Sequence, residues 1–438
     1  MNPLAVHPLP EANLPEPRIV PRGDHGVSRA NIDPDALKVL YRLHRHGFLA
    51  YLVGGSVRDL LLGKRPKDFD VGTDAHPSQV QRLFRNSRVI GRRFRLVQVF
   101  FQRGKVVEVS TFRRLADSDD DAMLQANNTF GTPAEDALRR DITINALFYN
   151  IADFSVVDYV GGLDDLRAGL IRAVGDAEVR FHRDPVRVMR AVRHAARAGF
   201  TLTPDTLEAV QRHREELALC PPSRIRDELM RDLKGGAAAK WLELAHETGL
   251  LYSLLPALEP IYGPAGSPAR ARARELLSRV DQALAQNSSK EVAKDAHPDD
   301  PFVVAALLWP ALEELARDLT LEPGRLGRAA WSNFVRDTLP ALTAPVSFAR
   351  RVMERATQSG GLMGLALVPG RGRLPKKIAQ KGYFADALAL AELLGLDITP
   401  GDEGQPVTPT APRRRPRRRR RRRPRGEAGQ AGEAGREA

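Results

Sequence analysis

Residues 52–74, LVGGSVRDLLLGKRPKDFDVGTD, decide the fold of the first part of this 438-residue chain. The apolar run that leads into them predicts a buried strand, which Gly54 and Gly55 end. Residues 57–62 then predict a short helix, and residues 68–71 predict a second strand. A glycine pair between a strand and a helix lets backbone N–H groups approach an anion closely, and a helix start favours negative charge. The stretch therefore predicts a phosphate-binding turn ahead of an acidic strand.

Two carboxylates, Asp68 and Asp70, flank Phe69 on the second predicted strand. Side chains alternate between the two faces of a strand, so both carboxylates are expected on one face. Adjacent carboxylates repel each other unless a cation lies between them, and Mg²⁺ bound by carboxylates and substrate phosphates is a common solution. An Asp-x-Asp pair alone is frequent on protein surfaces. The upstream turn, with Arg58 as a forked phosphate donor, makes the combination much rarer.

The rest of the chain separates into an α/β head, a long helical body and a basic tail. Two β-rich runs, 95–102 and 105–112, surround Arg103 and Gly104 and predict a hairpin. Beyond Gly175 the strand signals fade, and the pattern is mostly helical to about residue 394. No internal repeat of fixed period is present.

The positive charge of the chain is concentrated near its C-terminus. Eleven of the residues 413–425 are arginine, and without these eleven charges the formal net charge falls from +13 to +2. Like charges at this density repel each other and cannot be buried, so we expect a disordered tail. We expect its partner to be a polyanion, bound with an affinity that falls as salt rises. A pure solubility tail is the alternative, but we favour RNA contacts from Arg413, Arg417 and Arg420.

The single cysteine, Cys220, excludes an internal disulfide and a cysteine-based zinc site, which fits a reducing cytoplasm. No run of about 18 apolar residues occurs, so we expect no membrane span. The proline-rich start of the chain has no apolar h-region, which argues against a secretory signal. These features predict a cytoplasmic protein with a sizeable globular core.

Two later stretches carry further motifs. Residues 139–146 read RRDITINA, and residues 184–193 read DPVRVMRAVR. Together with residues 52–74, and in this order, they resemble the motifs of the class II nucleotidyltransferases of the polymerase-β superfamily. That family includes bacterial poly(A) polymerases and tRNA CCA-adding enzymes. The resemblance covers residues 30–202 with specific motifs, whereas the helical body beyond them matches in general character only.

The resemblance implies a role for particular residues of this chain. The catalytic Mg²⁺ ions would be bound by Asp68 and Asp70. The incoming triphosphate would lie against four residues of the turn: Gly54, Gly55, Ser56 and Arg58. Asp141 would be a further acid of the catalytic site, with Arg140 near the nucleotide. The edge of the incoming base would be read by two residues that share a helix face with Arg190: Asp184 and Arg187.

The third metal ligand is left open between two acids. Glu108 lies among apolar residues on the second strand of the predicted hairpin, where it completes a triad or faces the surface. Asp141 competes with Glu108 for this position. The family's base-reading motif commonly starts Glu-Asp, and here Arg183 occupies the glutamate position. This departure affects the hydrogen bonds of that position but not Asp184.

The choice of nucleotide depends on residues 89–96, VIGRRFRL, which resemble a segment that separates bacterial poly(A) polymerases from CCA-adding enzymes. A turn at Gly91 beside Arg92 and Arg93 suits a contact with RNA or phosphate. With the arginine-rich tail, this segment favours addition of adenylate from ATP to RNA 3′ ends, with a role in RNA turnover. A CCA-adding tRNA nucleotidyltransferase is the first alternative. A non-catalytic RNA-binding protein on the same scaffold is the second.

On this basis we expect five segments along the chain. They are a disordered leader (1–27), a nucleotidyltransferase head (28–175), a base-reading and RNA-binding helical neck (176–255), a helical body (256–400) and the disordered arginine-rich tail (401–438). The expected fold class is an α/β head with a polymerase-β-like sheet followed by a mostly α-helical body. The tail also offers a surface for RNA-degradation or RNA-chaperone proteins, which the sequence does not identify.

Overall fold

The computed structural model describes residues 14–91, 96–114, 130–289, 300–318, 328–366 and 380–396. Its strands are β1 (Arg18–Val20), β2 (Ala50–Val53), β3 (Asp70–Thr73), β4 (Ser87–Ile90), β5 (Leu96–Phe100), β6 (Val106–Thr111), β7 (Leu147–Asn150), β8 (Val156–Asp158), β9 (Leu170–Ile171) and β10 (Thr201–Leu202). Eight of them form one mixed sheet in the order β1-β8-β7-β2-β3-β6-β5-β4, and β9 pairs with β10. Within the large sheet, β3 and β6 run parallel and all other neighbours run antiparallel.

Among the described residues of the head there are five α-helices: α1 (Pro34–Arg45), α2 (Gly55–Leu61), α3 (Pro77–Leu83), α4 (Pro133–Arg139) and α5 (Gly162–Ala168). Six α-helices of different lengths form the neck: α6 (Ala177–Arg183), α7 (Val186–Ala198), α8 (Pro204–His213), α9 (Pro222–Leu233), α10 (Ala238–Glu247) and α11 (Leu250–Leu254). The body contains α12 (Glu259–Tyr262), α13 (Pro268–Ser289), α14 (Asp300–Asp318), α15 (Arg328–Thr343), α16 (Arg350–Ala366) and α17 (Phe384–Leu394). The predicted fold class, an α/β head followed by a mostly helical body, is confirmed.

Both faces of the large sheet are covered, which explains why β2 is buried along its whole length. Leu52 of β2 packs into the main hydrophobic core together with Val71 of β3. Tyr51 and Val53 point the other way, into a smaller cluster that contains Phe112. Alternation along each strand therefore divides the side chains between two cores. A polar side chain on β2 or β3 can therefore reach solvent only beyond the end of one of these two hydrophobic cores.

Two expected boundaries were wrong. The stretch 1–27 is not wholly a disordered leader, because Arg18–Val20 pairs with β8 at the sheet edge and Val27 is buried in the core. The predicted strand 68–71 begins only at Asp70. Its partner β2 ends at the glycine turn, and the pairing of Val53 with Asp70 is the last one in register. Residues before Asp70 therefore have no β2 residue to pair with.

The predicted hairpin is present as β5 and β6, which pair antiparallel around a turn with left-handed backbone at Arg103 and Gly104. The arginine-rich stretch 413–425 lies outside the described residues. In the part of the chain that the structure describes, no helix is both long and apolar enough to cross a membrane.

Candidate active site

The carboxylates of Asp70 and Glu108 lie side by side on neighbouring strands, since these two residues are partners in the parallel pairing of β3 with β6. The next residues along the two strands, Val71 and Val109, belong to the main hydrophobic core. Asp70 and Glu108 therefore project from the opposite face of the sheet. The Glu108 carboxylate accepts a hydrogen bond of 2.9 Å from the side-chain amide of Gln98, which orients it. Sequence reasoning did not identify Gln98.

The site favours a bound cation. Asp70 is exposed to a cleft, but the cleft walls displace part of its water and Glu108 adds a second negative charge. These two effects raise the pKa of Asp70 to about 6, although the charge of Arg140 opposes them. Asp68, in the loop before β3, adds to the repulsion. Carboxylate oxygens are the ligands that Mg²⁺ prefers, so the residues present fit a divalent cation among these three acids.

The glycine turn between β2 and α2 is as tight as the sequence predicts. Gly54 has φ of 73° and ψ of −141°, a conformation that residues with a side chain avoid. A Cβ atom on Gly54 would lie 3.0 Å from the guanidinium nitrogen Nη1 of Arg140. Ser56 Oγ donates to the carbonyl oxygen of Val53 at 3.0 Å, which ties the turn to the strand. The backbone of the turn is thereby held against a cationic side chain.

Replacing Gly54 with alanine is expected to lower the free energy of unfolding by about 1–3 kcal/mol and to weaken nucleoside triphosphate binding. The new methyl group would both strain the backbone and displace Arg140. The matched control is Gly63→Ala, at a position with φ of 68° but with nothing within 4 Å of the added atom. Urea denaturation and calorimetric titration with a nucleoside triphosphate measure the two effects. Equal loss of nucleotide affinity in both variants would contradict the role of the turn.

Arg58, which the resemblance places on the triphosphate, uses its donors inside the protein. Its Nη1 donates to Asn145 Oδ1 at 2.6 Å, and its Nε and Nη2 donate to Asp59 Oδ1 at 2.9 and 2.8 Å. The side chain is only 12% exposed. Arg58 therefore joins the glycine turn to residues 139–146 (RRDITINA) through hydrogen bonds inside the protein. Asn145 lies within that motif, so its presence there was the signal that sequence reasoning did not use.

Asp141 is buried and bound to cations of the protein itself. Its carboxylate lies 2.7 Å from Nη2 of Arg190 and 3.7 Å from Nε2 of His194, and it accepts the backbone N–H of Ile142 at 2.9 Å. Burial, the largest single effect, would raise the pKa of Asp141, but the surrounding positive charges, led by that of Arg190, and a hydrogen bond from Arg190 together outweigh burial and lower it. Burial also lowers the pKa of His194 to about 3, which leaves that ring neutral. Asp141 thus holds α7 against the head.

The guanidinium groups near the predicted base site are fixed by main-chain oxygens. Arg187 donates through Nη1 to the carbonyl oxygen of Arg140 at 3.1 Å and through Nη2 to that of Arg139 at 3.2 Å. Arg180 also donates to the carbonyl oxygen of Arg140, at 2.7 Å. Arg140 itself forms an ion pair of 3.0 Å with buried Asp136. The segment that follows α4 is therefore clamped by cations from α6 and α7.

Asp184 has a partner that the sequence did not reveal. Arg224, at the start of α9, contacts both carboxylate oxygens of Asp184, with Nη1 at 2.9 Å from Oδ1 and Nη2 at 3.0 Å from Oδ2. Arg187 Nε lies 3.7 Å from the same carboxylate. No local motif connects residues forty positions apart, so only the packing of α9 against α7 shows the pair. The carboxylate of Asp184 is consequently held in one orientation.

Two clefts share Asp70. The nucleotide cleft, as we call the first, has a volume of about 390 Å³ and is lined by six of the candidate residues: Asp70, Glu108, Arg140, Asp141, Asp184 and Arg187. Asp68 and the turn residues Gly54, Gly55, Ser56 and Arg58 are not among the residues that line it. The basic cleft, of about 780 Å³, is lined by Asp68 and Asp70 together with cations of the loop before β3 and of the neck: Lys67, Arg190, Arg193, Arg197, Arg231 and Lys234. Asp70 therefore lies between two clefts of different charge: the nucleotide cleft contains both acids and arginines, and the basic cleft is lined mainly by cations.

Five predicted RNA contacts lie outside the described residues. They are Arg92 and Arg93 in the segment before β5, and the three tail arginines Arg413, Arg417 and Arg420. These assignments stay predictions.

Comparison with known protein families supports the arrangement. Residues 50–172 match the family described as Poly A polymerase head domain, and residues 199–262 match the one described as probable RNA and SrmB-binding site of polymerase A. The first match contains the glycine turn and the three acids Asp68, Asp70 and Glu108, which we call the acidic row. The second covers α8 to α12, beside the basic cleft.

Individual proteins resemble the chain to different extents. It is 38% identical over 389 residues to poly(A) polymerase I of Salmonella typhi, which covers 86% of this chain and 82% of that protein. It is 38% identical over 224 residues to the CCA-adding enzyme of Bacillus licheniformis, which covers 51% and 56% of the two chains. The structure of the Thermotoga maritima CCA-adding enzyme complexed with tRNA has the same fold, with a TM-score of 0.51 at 20% identity over 86% of this chain and 84% of that one.

Proposed function

The chain belongs to the poly(A) polymerase I family, and from this premise we propose that it adds adenylate residues from ATP to RNA 3′ ends. One observation carries the choice of product. Similarity to poly(A) polymerase I extends over 86% of the chain and so includes the helical body, whereas similarity to the CCA-adding enzyme of Bacillus licheniformis covers 51%. A body that positions a particular RNA is expected to diverge when the RNA changes. The chain retains the body of the adenylating relatives.

The acidic row supports a Mg²⁺ site formed by Asp68, Asp70 and Glu108. We assign Glu108 rather than Asp141 as the third carboxylate, because Glu108 pairs with Asp70 in register and Asp141 is bound to Arg190. Mg²⁺ held there would neutralise the triphosphate and favour ionisation of the attacking 3′ hydroxyl. The Gln98 amide, on the neighbouring strand β5, binds one oxygen of Glu108 and so restrains this carboxylate.

The turn and the arginines beside it position the triphosphate. Backbone N–H groups after Gly54 approach the phosphates, and Arg140 balances their charge. The RNA 3′ oxygen forms a bond to the α-phosphorus while the bond to the bridging oxygen breaks, and pyrophosphate leaves. Because charge spreads over oxygens rather than onto a covalent enzyme group, the residues act mainly by orientation and electrostatics.

Asp184 and Arg187, which we call the base-reading pair, explain a preference for a base with an amino group. A carboxylate accepts from the exocyclic amino group, and a guanidinium donates to the neighbouring ring nitrogen. Adenine and cytosine offer this pattern, whereas guanine and uracil offer the reverse. Arg224 fixes Asp184, and two carbonyl oxygens fix Arg187, so the pair cannot shift easily between a purine and a smaller pyrimidine. A rigid pair supports the use of one nucleotide.

The basic cleft suits the RNA strand. In-line transfer requires the attacking oxygen to approach from the side opposite to the leaving pyrophosphate, and the basic cleft opens on Asp70 apart from the nucleotide cleft. Within the described residues, the side chains of Lys67 and Arg197 make no hydrogen bond or ion pair. Partial burial, followed by the charge of Arg58, lowers the pKa of Arg197, and the negative charges of Asp59 and Asp68 offset this only in part. RNA phosphates would add further negative charge beside this cation.

Replacing Lys67 and Arg197 together with alanine is expected to weaken RNA binding about tenfold at moderate salt and to leave the KM for ATP within twofold. Loss of two phosphate contacts should also reduce the slope of log affinity against log salt by about 1.4 for a single strand. Fluorescence anisotropy with a labelled oligo(A) measures both quantities.

Arg351→Ala is the control for that double variant, because Arg351 is an exposed arginine of α16 that lines neither cleft. An unchanged salt slope in the double variant, or an equal change in the control, would contradict the assignment of the basic cleft to RNA.

The proposed function is tested by incorporation of each of the four nucleotides, with Mg²⁺, onto an oligo(A) primer and onto a tRNA that lacks its CCA end. Long products from ATP on oligo(A), absent in an Asp68→Ala/Asp70→Ala variant, support polyadenylation. Addition limited to two C and one A on the tRNA would overturn it in favour of a CCA-adding enzyme. RNA binding without incorporation would instead identify a non-catalytic RNA-binding protein.

A further inference from the structure

A cluster of two histidines and two glutamates joins α6 to the end of α8 in the neck. We call it the neck cluster: Glu178, His182, His213 and Glu216. Glu178 and His182 are four residues apart on α6 and so share one face of that helix. His213 ends α8, and Glu216 follows in the next turn. None of the four lines the nucleotide cleft or the basic cleft, so adenylate transfer does not account for them.

Three side chains of the neck cluster converge on one point. His213 Nδ1 lies 2.8 Å from Glu216 Oε1, and His182 Nδ1 lies 3.1 Å from Glu216 Oε2. One ligand atom from each of these residues lies within 4.8 Å of the other two. Donors bound at about 2.0–2.2 Å to a tetrahedral ion are roughly 3.3–3.6 Å apart. His182 is exposed and free to make the remaining adjustment by rotation about its side-chain bonds.

The fourth residue has the role of an outer partner. His213 is buried, and its Nε2 lies 2.8 Å from Glu178 Oε2. Glu178 is itself held by Arg212, whose Nη1 lies 2.9 Å from Glu178 Oε1. A histidine that ligates a metal through one nitrogen commonly donates its other N–H to a carboxylate, which orients the ring. Glu178 therefore presents the Nδ1 lone pair of His213 towards Glu216 and His182.

The contacts of His213 require a positive charge. Both of its ring nitrogens face carboxylate oxygens at 2.8 Å, and a neutral imidazole has only one N–H to donate. Either a proton on Nδ1 or a metal ion in its place satisfies the second carboxylate. Binding of a metal would release that proton to solvent, as is usual when histidine becomes a ligand.

We propose that the neck cluster is a Zn²⁺ site with three protein ligands, His182, His213 and Glu216, and with water completing the coordination. Two imidazole nitrogens and one carboxylate form a ligand set that suits a borderline-soft ion rather than Mg²⁺, which prefers oxygen ligands alone. The site is separate in place and in chemistry from the acidic row that we assign to Mg²⁺.

The consequence of Zn²⁺ binding is a tie between two helices beside the base-reading pair. α6 ends at Arg183, and the next residue is Asp184, whose N–H still donates to the carbonyl oxygen of Arg180. A metal that joins His182 to the end of α8 restrains the last turn of α6. The ion is thus expected to stabilise the neck and the position of Asp184 without touching the substrates.

The test is calorimetric titration of Zn²⁺ into the chelator-treated full-length protein, with Mg²⁺ in large excess to occupy the acidic row. We expect one equivalent of Zn²⁺ with release of protons, and a rise in the melting temperature on saturation. The same equivalent should persist in an Asp68→Asn/Asp70→Asn variant. It should bind at least about tenfold more weakly in His182→Ala, and about 10- to 100-fold more weakly in Glu178→Gln.

His44→Ala is the matched control, because His44 is an exposed histidine of α1 outside the neck cluster. His182 is exposed, so its loss does not threaten the fold as loss of buried His213 would. Zn²⁺ binding that disappears with Asp68 and Asp70 but survives His182→Ala would place the ion at the acidic row and overturn the proposal. No binding in excess Mg²⁺ would also overturn it, and would leave the neck cluster as a set of ion pairs around a protonated His213.

Discussion

Replacing Asp70 with asparagine is expected to lower the rate of AMP incorporation by about a thousandfold, which corresponds to about 4 kcal/mol of transition-state stabilisation. Among the described residues, Asp70 is the one carboxylate that lines both clefts, so in our proposal it faces the nucleotide and the RNA strand together. The amide keeps the size of the side chain but removes its charge. Single-turnover incorporation of labelled ATP onto oligo(A) measures the loss, and RNA binding is expected to remain.

The same substitution is expected to raise the melting temperature of the metal-free protein by about 2 °C at neutral pH. The pKa of Asp70 is raised from 3.8 to about 6, so the folded protein binds this proton more tightly than the unfolded chain. Stability from this group is therefore present below pH 4 and is lost as the pH rises towards 6. Asparagine carries no charge and avoids that loss.

Asp74→Asn is the control for Asp70→Asn. Asp74 is an exposed acid that follows the same strand, and its carboxylate only accepts the N–H of Leu49 at 2.8 Å. We expect this control to retain full activity and to show no rise in melting temperature. If the Asp70→Asn variant retains more than a tenth of the activity, Asp70 is not a ligand of the catalytic metal ion.

The variants Glu108→Gln and Asp141→Asn are expected to have different defects, the first in catalysis and the second in stability. Glu108→Gln should lower the rate about a hundredfold and raise the Mg²⁺ concentration for half-maximal rate about tenfold, with stability nearly unchanged. Asp141→Asn should lower the free energy of unfolding by about 2–3 kcal/mol, because it leaves Arg190 without its buried partner. The pKa of Asp141 is lowered, so its contribution is present at neutral pH and is lost only in acid.

The comparison of these two variants identifies the third acid. Urea denaturation separates loss of stability from loss of catalysis, and Mg²⁺ titration of the rate is done only under conditions where both variants are folded. If Asp141→Asn changes the Mg²⁺ dependence while Glu108→Gln does not, Asp141 is the metal ligand and our assignment of Glu108 is wrong.

The acidic strand and the glycine turn were predictable because each depends on residues that are adjacent in sequence. Two-residue periodicity predicted Asp68 and Asp70 on one face of a strand; Asp68 lies in the loop before β3, yet both residues line the basic cleft. The glycine pair marks the turn whatever surrounds it. The strand was nevertheless placed two residues too early. Its start is determined by where β2 stops, which the residues of β3 themselves do not show.

The partners of the predicted site residues were not predictable. Glu108 and Asp141 were equal candidates in sequence, and the parallel pairing of β3 with β6 is the observation on which we propose Glu108. Arg58 looked like a phosphate ligand, but Asn145 and Asp59 engage it inside the protein. Arg224 carried no motif at all, and it meets Asp184 because α9 packs against α7, which begins just after Asp184.

The sequence by itself determined the family, the order of head, body and tail, and the residue types of the site, because motif spacing and short-range periodicity are local properties. The tertiary structure decided which acids face each other, which arginines remain open to substrate, and that two clefts share Asp70. These features depend on strand register and on contacts between helices far apart in the chain. The energies of such contacts come from packing, which no single stretch of sequence contains.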